Sequence, residues 1–141
     1  MRFMVMIKAS ADSEAEVQPE EGLLLEMGKY NEALVKAGIM VDGAGLMSTV
    51  KGARVQITDG KPMVTDGPFT EIKEVIAGFW IWNCSSLQEA IDWVAKCPIA
   101  HGQDRFEIRQ MHELEDFATE GEGYEQHKKA EAELAAQKSG A

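Results

Sequence analysis

The sequence is poor in cysteine and has no apolar run long enough to cross a membrane as a helix. Its two cysteines, Cys84 and Cys97, are too few for a disulfide framework and fit a reducing compartment. We expect both to be buried free thiols, with a disulfide between them as the alternative. The N-terminal run MRFMVMIKAS is too short and too mixed for a signal peptide, so we expect a cytoplasmic protein.

Basic residues are also scarce, because 14 Lys and Arg stand against 24 Asp and Glu, for a formal net charge of -10. The sequence has no cluster of Lys or Arg that would neutralise phosphates. Its composition therefore argues against nucleic acid and against anionic membrane surfaces as partners.

Metal and cofactor motifs are missing as well. No two of the three histidines have the four-residue spacing of a helical metal site, and the two cysteines are far apart in the chain. No glycine-rich dinucleotide fingerprint follows a strand and opens a helix, and there is no P-loop. We therefore predict neither a metal nor a cofactor.

Four segments have the apolar patterns of strands. Residues 2–9 and 75–83 are apolar on both alternating sets of positions, which is typical of central strands covered on both faces. Residues 53–58 and 105–111 alternate between apolar and polar side chains, as outer strands with one wet face do.

Two further segments have helical signals. Residues 23–38 place apolar side chains at helical spacing, and Gly38 is a typical helix end. Ser86 and Glu89 have the spacing of a capping box, which predicts a helix that starts there and ends before Pro98.

The order of these elements predicts the fold class. With an additional strand near 39–45 and a turn at 58–61, the chain alternates as strand, helix, strands, strand, helix and strand. This is the order of the split βαβ motif, so we predict an α+β, ferredoxin-like domain over residues 1–112. Residues 113–141 are predicted to be a charged, partly helical C-terminal tail.

A sheet of this kind leaves one face uncovered, because both helices lie on the other. The uncovered face is expected to carry either Met4 and Met6 with Trp80 and Trp82, or the alternate set. Several exposed apolar side chains would make a patch too large for a monomer surface. We therefore predict a two-fold homodimer with sheet against sheet, and a bound apolar ligand or the tail are alternative covers.

The stretch VTDGPFTEIKE places charged residues directly before a buried strand. Gly67 and Pro68 form a rigid turn that could aim the Asp66 carboxylate into a cleft, or Asp66 could bond the N–H groups of its own turn. The charged residues that follow could surround a ligand, namely Glu71, Lys73 and Glu74. Alternatively, Lys73 could form an ion pair with one of the acids.

Three more residues are candidates for a site. His101 could act as a general base with Asp66, since histidine titrates near neutral pH. Trp80 could form an aromatic wall for a ligand, although packing in the core is the plainer role. Arg109 could clamp an anion, with a surface ion pair as the alternative.

The run VTDGPFTEIKEVIAGFWIW, with KYNEALVKAG before it and SLQEAIDWVAKCP after it, resembles the DGPF-motif branch of the YCII-related family. The likeness extends from residue 1 to about 111. The motif positions that match are Asp66, Gly67, Pro68, Phe69, Glu71, Lys73, Glu74 and Gly78.

The resemblance implies a dimeric α/β-barrel of ferredoxin-like subunits. It also implies a link to extracytoplasmic-function sigma factors, beside which such proteins are often encoded. Some relatives are regarded as enzymes on small molecules, and their branch is associated with a histidine on the first helix and an aspartate just after it. This chain has no histidine on that helix, so Asp42 would have no base partner.

Two functional hypotheses follow. The first is a homodimeric module that binds a small molecule or regulates, without turnover. The second is a cofactor-independent lyase- or isomerase-like enzyme that uses Asp66 with His101 or Glu71 as acid and base groups.

Overall fold

The computed structural model describes residues 1–99 and 105–140 of the chain. The chain forms two compact units, Met1–Gln110 and Met111–Ala141, and each is described by itself. His101, a predicted acid/base residue, lies outside the described residues.

The described residues of the first unit form six strands and three α-helices. The strands are β1 (Arg2–Lys8), β2 (Met40–Gly45), β3 (Ala53–Thr58), β4 (Lys61–Asp66), β5 (Ile76–Asn83) and β6 (Phe106–Gln110). The helices are α1 (Ala11–Glu14), α2 (Glu21–Lys36) and α3 (Leu87–Val94), and short 3-10 helices lie at Thr49–Lys51 and Ile72–Glu74.

Four of the strands form an antiparallel sheet in the order β2-β5-β1-β6. The two segments that are apolar on both alternating sets are the two central strands, as predicted. With α2 between β1 and β2 and α3 between β5 and β6, this is the ferredoxin-like α+β arrangement. The prediction of 53–58 as an outer strand of this sheet is wrong, because β2 holds that edge and β3 pairs only with β4.

One face of the sheet packs against α2 and α3. Phe3 and Val5 of β1 lie there with Trp80 and Trp82 of β5, and helical side chains complete the core: Tyr30, Leu34 and Ala90. The expectation that the tryptophans share a face with Met4 and Met6 is therefore wrong. Cross-strand pairing places Met4 opposite Ile81 and Met6 opposite Phe79, and these four side chains are partly exposed.

The start of α3 follows the predicted capping chemistry with one difference. The backbone N–H of Glu89 donates to the Ser86 hydroxyl oxygen over 3.1 Å. The Glu89 carboxylate accepts from the backbone N–H of Ser85, also at 3.1 Å, rather than from that of Ser86. The reciprocal bond thus reaches one residue further back than a capping box requires.

The hairpin β3–β4 is a separate two-stranded sheet. Its turn has positive φ at Asp59 (51°) and Gly60 (76°), which matches the predicted turn. Val55 and Ile57 share one face with the opposing residues of β4, and they are 59% and 67% exposed. The hairpin therefore has an apolar face that no described residue buries.

The second unit contains a 3-10 helix, Leu114–Asp116, and helix α4, Glu122–Ser139. None of the residues of α4 is buried, because the helix has no apolar stripe. Among the described residues of the whole chain, no helix combines the length and apolarity needed to span a membrane. Cys84 and Cys97, in the first unit, are buried free thiols, as predicted.

Candidate functional site

The DGPF motif is docked on the 3-10 helix Thr49–Lys51. The backbone N–H of Gly67 donates to the carbonyl oxygen of Gly52 over 3.0 Å, and the Gly67–Pro68 peptide bond is cis. A Cβ atom on Gly67 would lie only 1.6 Å from the carbonyl oxygen of Thr49, so only glycine fits there. This close approach explains why the motif contains glycine at that position.

Side chains reinforce the same contact. The backbone N–H of Phe69 donates to the Thr49 hydroxyl oxygen over 3.0 Å, and that hydroxyl donates in turn to the Glu14 carboxylate. The Arg54 guanidinium stacks over the Phe69 ring at 3.9 Å from its centroid. The turn, the hairpin and α1 are thereby held together, which is an architectural role for the motif.

The charged residues of the motif remain at the surface. Asp66, Glu71, Lys73 and Glu74 are exposed, and their side chains make no hydrogen bond or ion pair with another described residue. The expected ion pair of Lys73 with an acid is therefore not formed within the described part of the chain. None of the four lines the cavity described next, so their role in ligand binding stays a prediction.

A cavity of about 460 Å³ lies between α2 and the sheet. Most of its wall is apolar and comes from α2 and from the ends of β1, β2 and β5, with contributions from Met27, Met40, Phe79 and Trp80. Asn31 and Arg105 are the polar side chains among the described residues of the wall. An apolar cleft with a few placed polar groups is the usual form of a small-molecule site.

Trp80 is held in one orientation by its neighbours. Its indole N–H donates to the side-chain oxygen of Asn31 over 3.1 Å, and the Tyr30 ring contacts it edge-on with centroids 5.9 Å apart. A Cβ atom on Gly43 would lie 2.8 Å from Cδ1 of the indole, so glycine on β2 makes room for the ring. The cavity therefore has a rigid aromatic wall.

Arg105 brings a positive charge to the same cavity. It directly precedes β6, and its carbonyl oxygen accepts from the backbone N–H of Lys8 over 2.8 Å, which fixes the start of the strand. Burial raises the pKa of the nearby Cys97 thiol, and the positive charge of Arg105 opposes that rise. Cys97 is therefore a neutral core thiol near neutral pH.

Among the predicted site residues that the structure describes, only Trp80 lines this cavity. Its role as a wall for a ligand stays a prediction. Arg109 lies exposed on β6 and pairs with Met4, on the face of the sheet opposite Trp80. Asp42, the other acid considered, bonds only the backbone N–H of the next residue, at 2.8 Å, within the described part of the chain.

Sequence reasoning missed Asn31 and Arg105. Asn31 follows Met27 by one helical turn and is adjacent to the buried Tyr30, so a polar residue beside the apolar stripe of α2 was an available signal. No comparable signal marks Arg105, because its place in the cavity depends on how the chain returns to the sheet.

Comparison with known proteins identifies the family of the chain. A family model described as the YCII-related domain matches residues 1–115. The chain belongs to the YCII-related family. An uncharacterized protein of Rhizobium meliloti (strain 1021) is 32% identical over 95 residues, which are 67% of this chain and 77% of that protein.

A solved structure with detectable likeness is 5-chloro-2-hydroxyhydroquinone dehydrochlorinase from Burkholderia phenoliruptrix AC1100, in complex with 2,5-dihydroxybenzoquinone. It shares 19% identity at a TM-score of 0.45, over 79% of this chain and 94% of the other. A likeness at this level does not carry the activity of that enzyme over to this chain.

Proposed function

We propose that this YCII-related protein binds a small molecule in the cavity between α2 and β5 and acts through binding, without turnover. The observation that carries the proposal is the hydrogen bond from Trp80 to Asn31 in the cavity wall. It fixes an aromatic surface and an amide group next to an apolar space of about 460 Å³. Rigid walls of this kind bind ligands well, because little side-chain freedom is lost on binding.

The chemistry of the wall favours binding over catalysis. Arg105 is the one ionisable side chain among the described residues that line the cavity. A guanidinium does not release its proton in proteins, and a carboxamide such as that of Asn31 is neither an acid nor a base near neutral pH. General acid–base catalysis needs a group that exchanges a proton.

The proposal includes a homodimer formed through the uncovered face of the sheet. Met4, Met6, Phe79 and Ile81 form an apolar strip on the two central strands, and each side chain is only partly buried within one chain. A second copy placed sheet against sheet would bury this strip at about 25 cal/mol per Å² of apolar surface. The regulatory role beside a sigma factor, which the resemblance implies, belongs to the same proposal.

A thermal-shift screen against a metabolite panel tests the binding function, since a ligand that binds only the folded state stabilises it. Gly45 lines the cavity, and a Cβ atom there would meet nothing within 4 Å, so Gly45→Leu is expected to fill the cavity and to abolish the shift. Gly22→Leu, also without a neighbour within 4 Å, is the matched control. A shift that persists in Gly45→Leu would place the ligand elsewhere.

The lyase- or isomerase-like enzyme with Asp66 as acid or base stays a prediction. It requires that the exposed Asp66 reach a substrate together with His101 or Glu71. Turnover of a panel substrate by the wild type that disappears in Asp66→Asn would support it. Equal turnover by both proteins would remove Asp66 from any mechanism.

A further inference from the structure

We infer that the ligand of the cavity is a small organic monoanion, such as a carboxylate on a compact apolar body. The inference rests on the proposed function and adds the class of ligand. Its basis is that the described wall offers the N–H donors of Asn31 and one cation, Arg105, while no described acid lines the wall.

Arg105 supplies the charge that distinguishes an anion. Its side chain forms no ion pair with a described residue, whereas Lys8, whose backbone bonds to it, pairs with Glu107 at 3.8 Å. A planar guanidinium matches the two oxygens of a carboxylate and holds them with charge-assisted hydrogen bonds. Arg105 is thus a preformed partner for an anionic group that enters the cavity.

The positive charge of Arg105 in the cavity contrasts with the negative net charge of the whole chain. The protein has a formal net charge of -10, which repels anions over long range and attracts cations to the surface in general. A lining without a described carboxylate and with one guanidinium reverses that preference inside the cavity. The cavity is therefore distinguished from the surface by the sign of its charge.

Asn31 adds a second criterion. Its side-chain oxygen already accepts the hydrogen bond from Trp80, while the two N–H donors of its amide make no hydrogen bond with a described residue and can serve a ligand. A ligand therefore needs acceptor atoms to match both polar groups. A ligand ammonium group would be repelled by the positive charge of Arg105. It would also face the N–H donors of Asn31, which cannot accept its own N–H groups.

The apolar part of the ligand is limited by the walls. The cavity has about 460 Å³, at the lower end of the usual range for small-molecule pockets. Trp80 offers a ring surface, and Met27 and Met40 offer deformable thioethers that pack well against rings. A single ring with short substituents, carrying one carboxylate, matches this lining.

Isothermal titration with benzoate, benzamide and benzylamine tests the inference, because the three probes share one ring and differ in charge. Benzoate is expected to bind at least about tenfold more tightly than benzamide, as one charge-assisted contact provides. Benzylamine is expected to bind more weakly than benzamide.

Two variants locate the effect. Arg105→Met keeps most of the side-chain length and is expected to lower benzoate affinity about tenfold, while benzamide affinity stays the same. Arg109→Met is the matched control, since Arg109 lies on the opposite face of the sheet, and it is expected to keep the preference of the wild type.

Each outcome separates this inference from the proposed function. Equal binding of benzoate and benzamide by the wild type, or a preference that survives in Arg105→Met, overturns the anionic ligand and leaves the binding function standing. Failure of all three probes at millimolar concentration also overturns the anionic ligand. The binding function fails as well only if no compound of the panel, whatever its charge, produces a larger thermal shift in the wild type than in Gly45→Leu.

Discussion

The indole N–H of Trp80 donates a hydrogen bond to the side-chain oxygen of Asn31 over 3.1 Å, which joins the central strand β5 to helix α2 across 49 positions of the chain. Trp80 is only 5% exposed, so its N–H group has little access to water as an alternative partner. The bond serves packing and the site at once, because it orients one wall of the cavity and one of its polar groups.

Loss of this bond is expected to cost stability. Asn31→Leu leaves the buried indole N–H of Trp80 without its acceptor, which should lower the free energy of unfolding by about 2 kcal/mol. Asn31→Asp keeps an acceptor oxygen and should lower it less. Urea unfolding followed by circular dichroism measures both, and equal losses would show that the hydrogen bond contributes nothing beyond side-chain volume.

The glycine of the DGPF motif is expected to be irreplaceable for steric reasons. Gly67→Ala forces a Cβ atom to within 1.6 Å of the Thr49 carbonyl oxygen, so the turn must move away from the 3-10 helix. We expect a loss of about 3 kcal/mol in the free energy of unfolding.

Gly28→Ala is the control for that experiment. It lies within α2, and a Cβ atom there would meet nothing within 4 Å, so it should stabilise the protein by about 1 kcal/mol through helix propensity. If Gly67→Ala unfolded at the same urea concentration as the wild type, the docking of the motif on residues 49–51 would be contradicted.

Stability is expected to fall in alkaline solution because of Tyr30. Its hydroxyl donates to the carbonyl oxygen of Trp93 over 2.6 Å. Burial, together with the nearby Cys97, raises the pKa of the phenol above its ordinary value of 10.0. The folded state therefore binds this proton more tightly than the unfolded state, so the contribution of Tyr30 is complete below pH 10 and decreases as the pH rises above it.

Tyr30→Phe separates this effect from that of the thiols. Burial also raises the pKa of Cys84 and of Cys97 above the ordinary value of 9.0, so they lower stability with the same sign from about that pH. We expect unfolding free energies measured between pH 8 and pH 11 to fall more steeply for the wild type than for Tyr30→Phe. Parallel curves would contradict the assignment, and Tyr124→Phe in α4 is the control.

The dimer is expected to be sensitive to charge on the uncovered face of the sheet. Met4→Lys places an ammonium group next to Ile81 and opposite Arg109, where no acid directly faces it. Because a two-fold interface carries the change twice, the dissociation constant should rise at least about a hundredfold. Sedimentation equilibrium measures it, with Leu24→Lys on the exposed surface of α2 as the control.

A wild-type protein that sediments as a monomer at all accessible concentrations would remove the homodimer from the proposed function. A dimer unaffected by Met4→Lys would instead place the interface on another surface, such as the apolar face of the hairpin β3–β4.

The central strands could be predicted from sequence because both of their alternating sets are apolar. The same property hid which set faces the helices, since alternation alone cannot distinguish Trp80 with Trp82 from Phe79 with Ile81. The outer strand was misassigned for a related reason. ARVQIT of β3 has a clear alternation, whereas VDGAG of β2 is rich in glycine and has weak strand propensity.

The site was less accessible to sequence reasoning because it depends on contacts between distant segments. The DGPF motif is marked in the sequence by its charges, yet its described contacts are backbone hydrogen bonds and close packing at Gly67 and Phe69. Asn31 is identified as a site residue only by its hydrogen bond with Trp80, which forms because α2 packs on the sheet. A contact between side chains so far apart in the chain cannot be predicted from a single sequence.

Nitrogen–proton correlation spectra of the three tryptophan indoles test the central claim most directly, since each N–H group gives its own signal. On titration with benzoate, we predict a saturable shift of the Trp80 signal and no comparable shift of the Trp93 signal. The shift should disappear in Gly45→Leu, whose added side chain fills the cavity. A Trp80 signal that stays in place, for benzoate and for every stabilising compound of the metabolite panel, would contradict a ligand site built on Trp80 and Asn31.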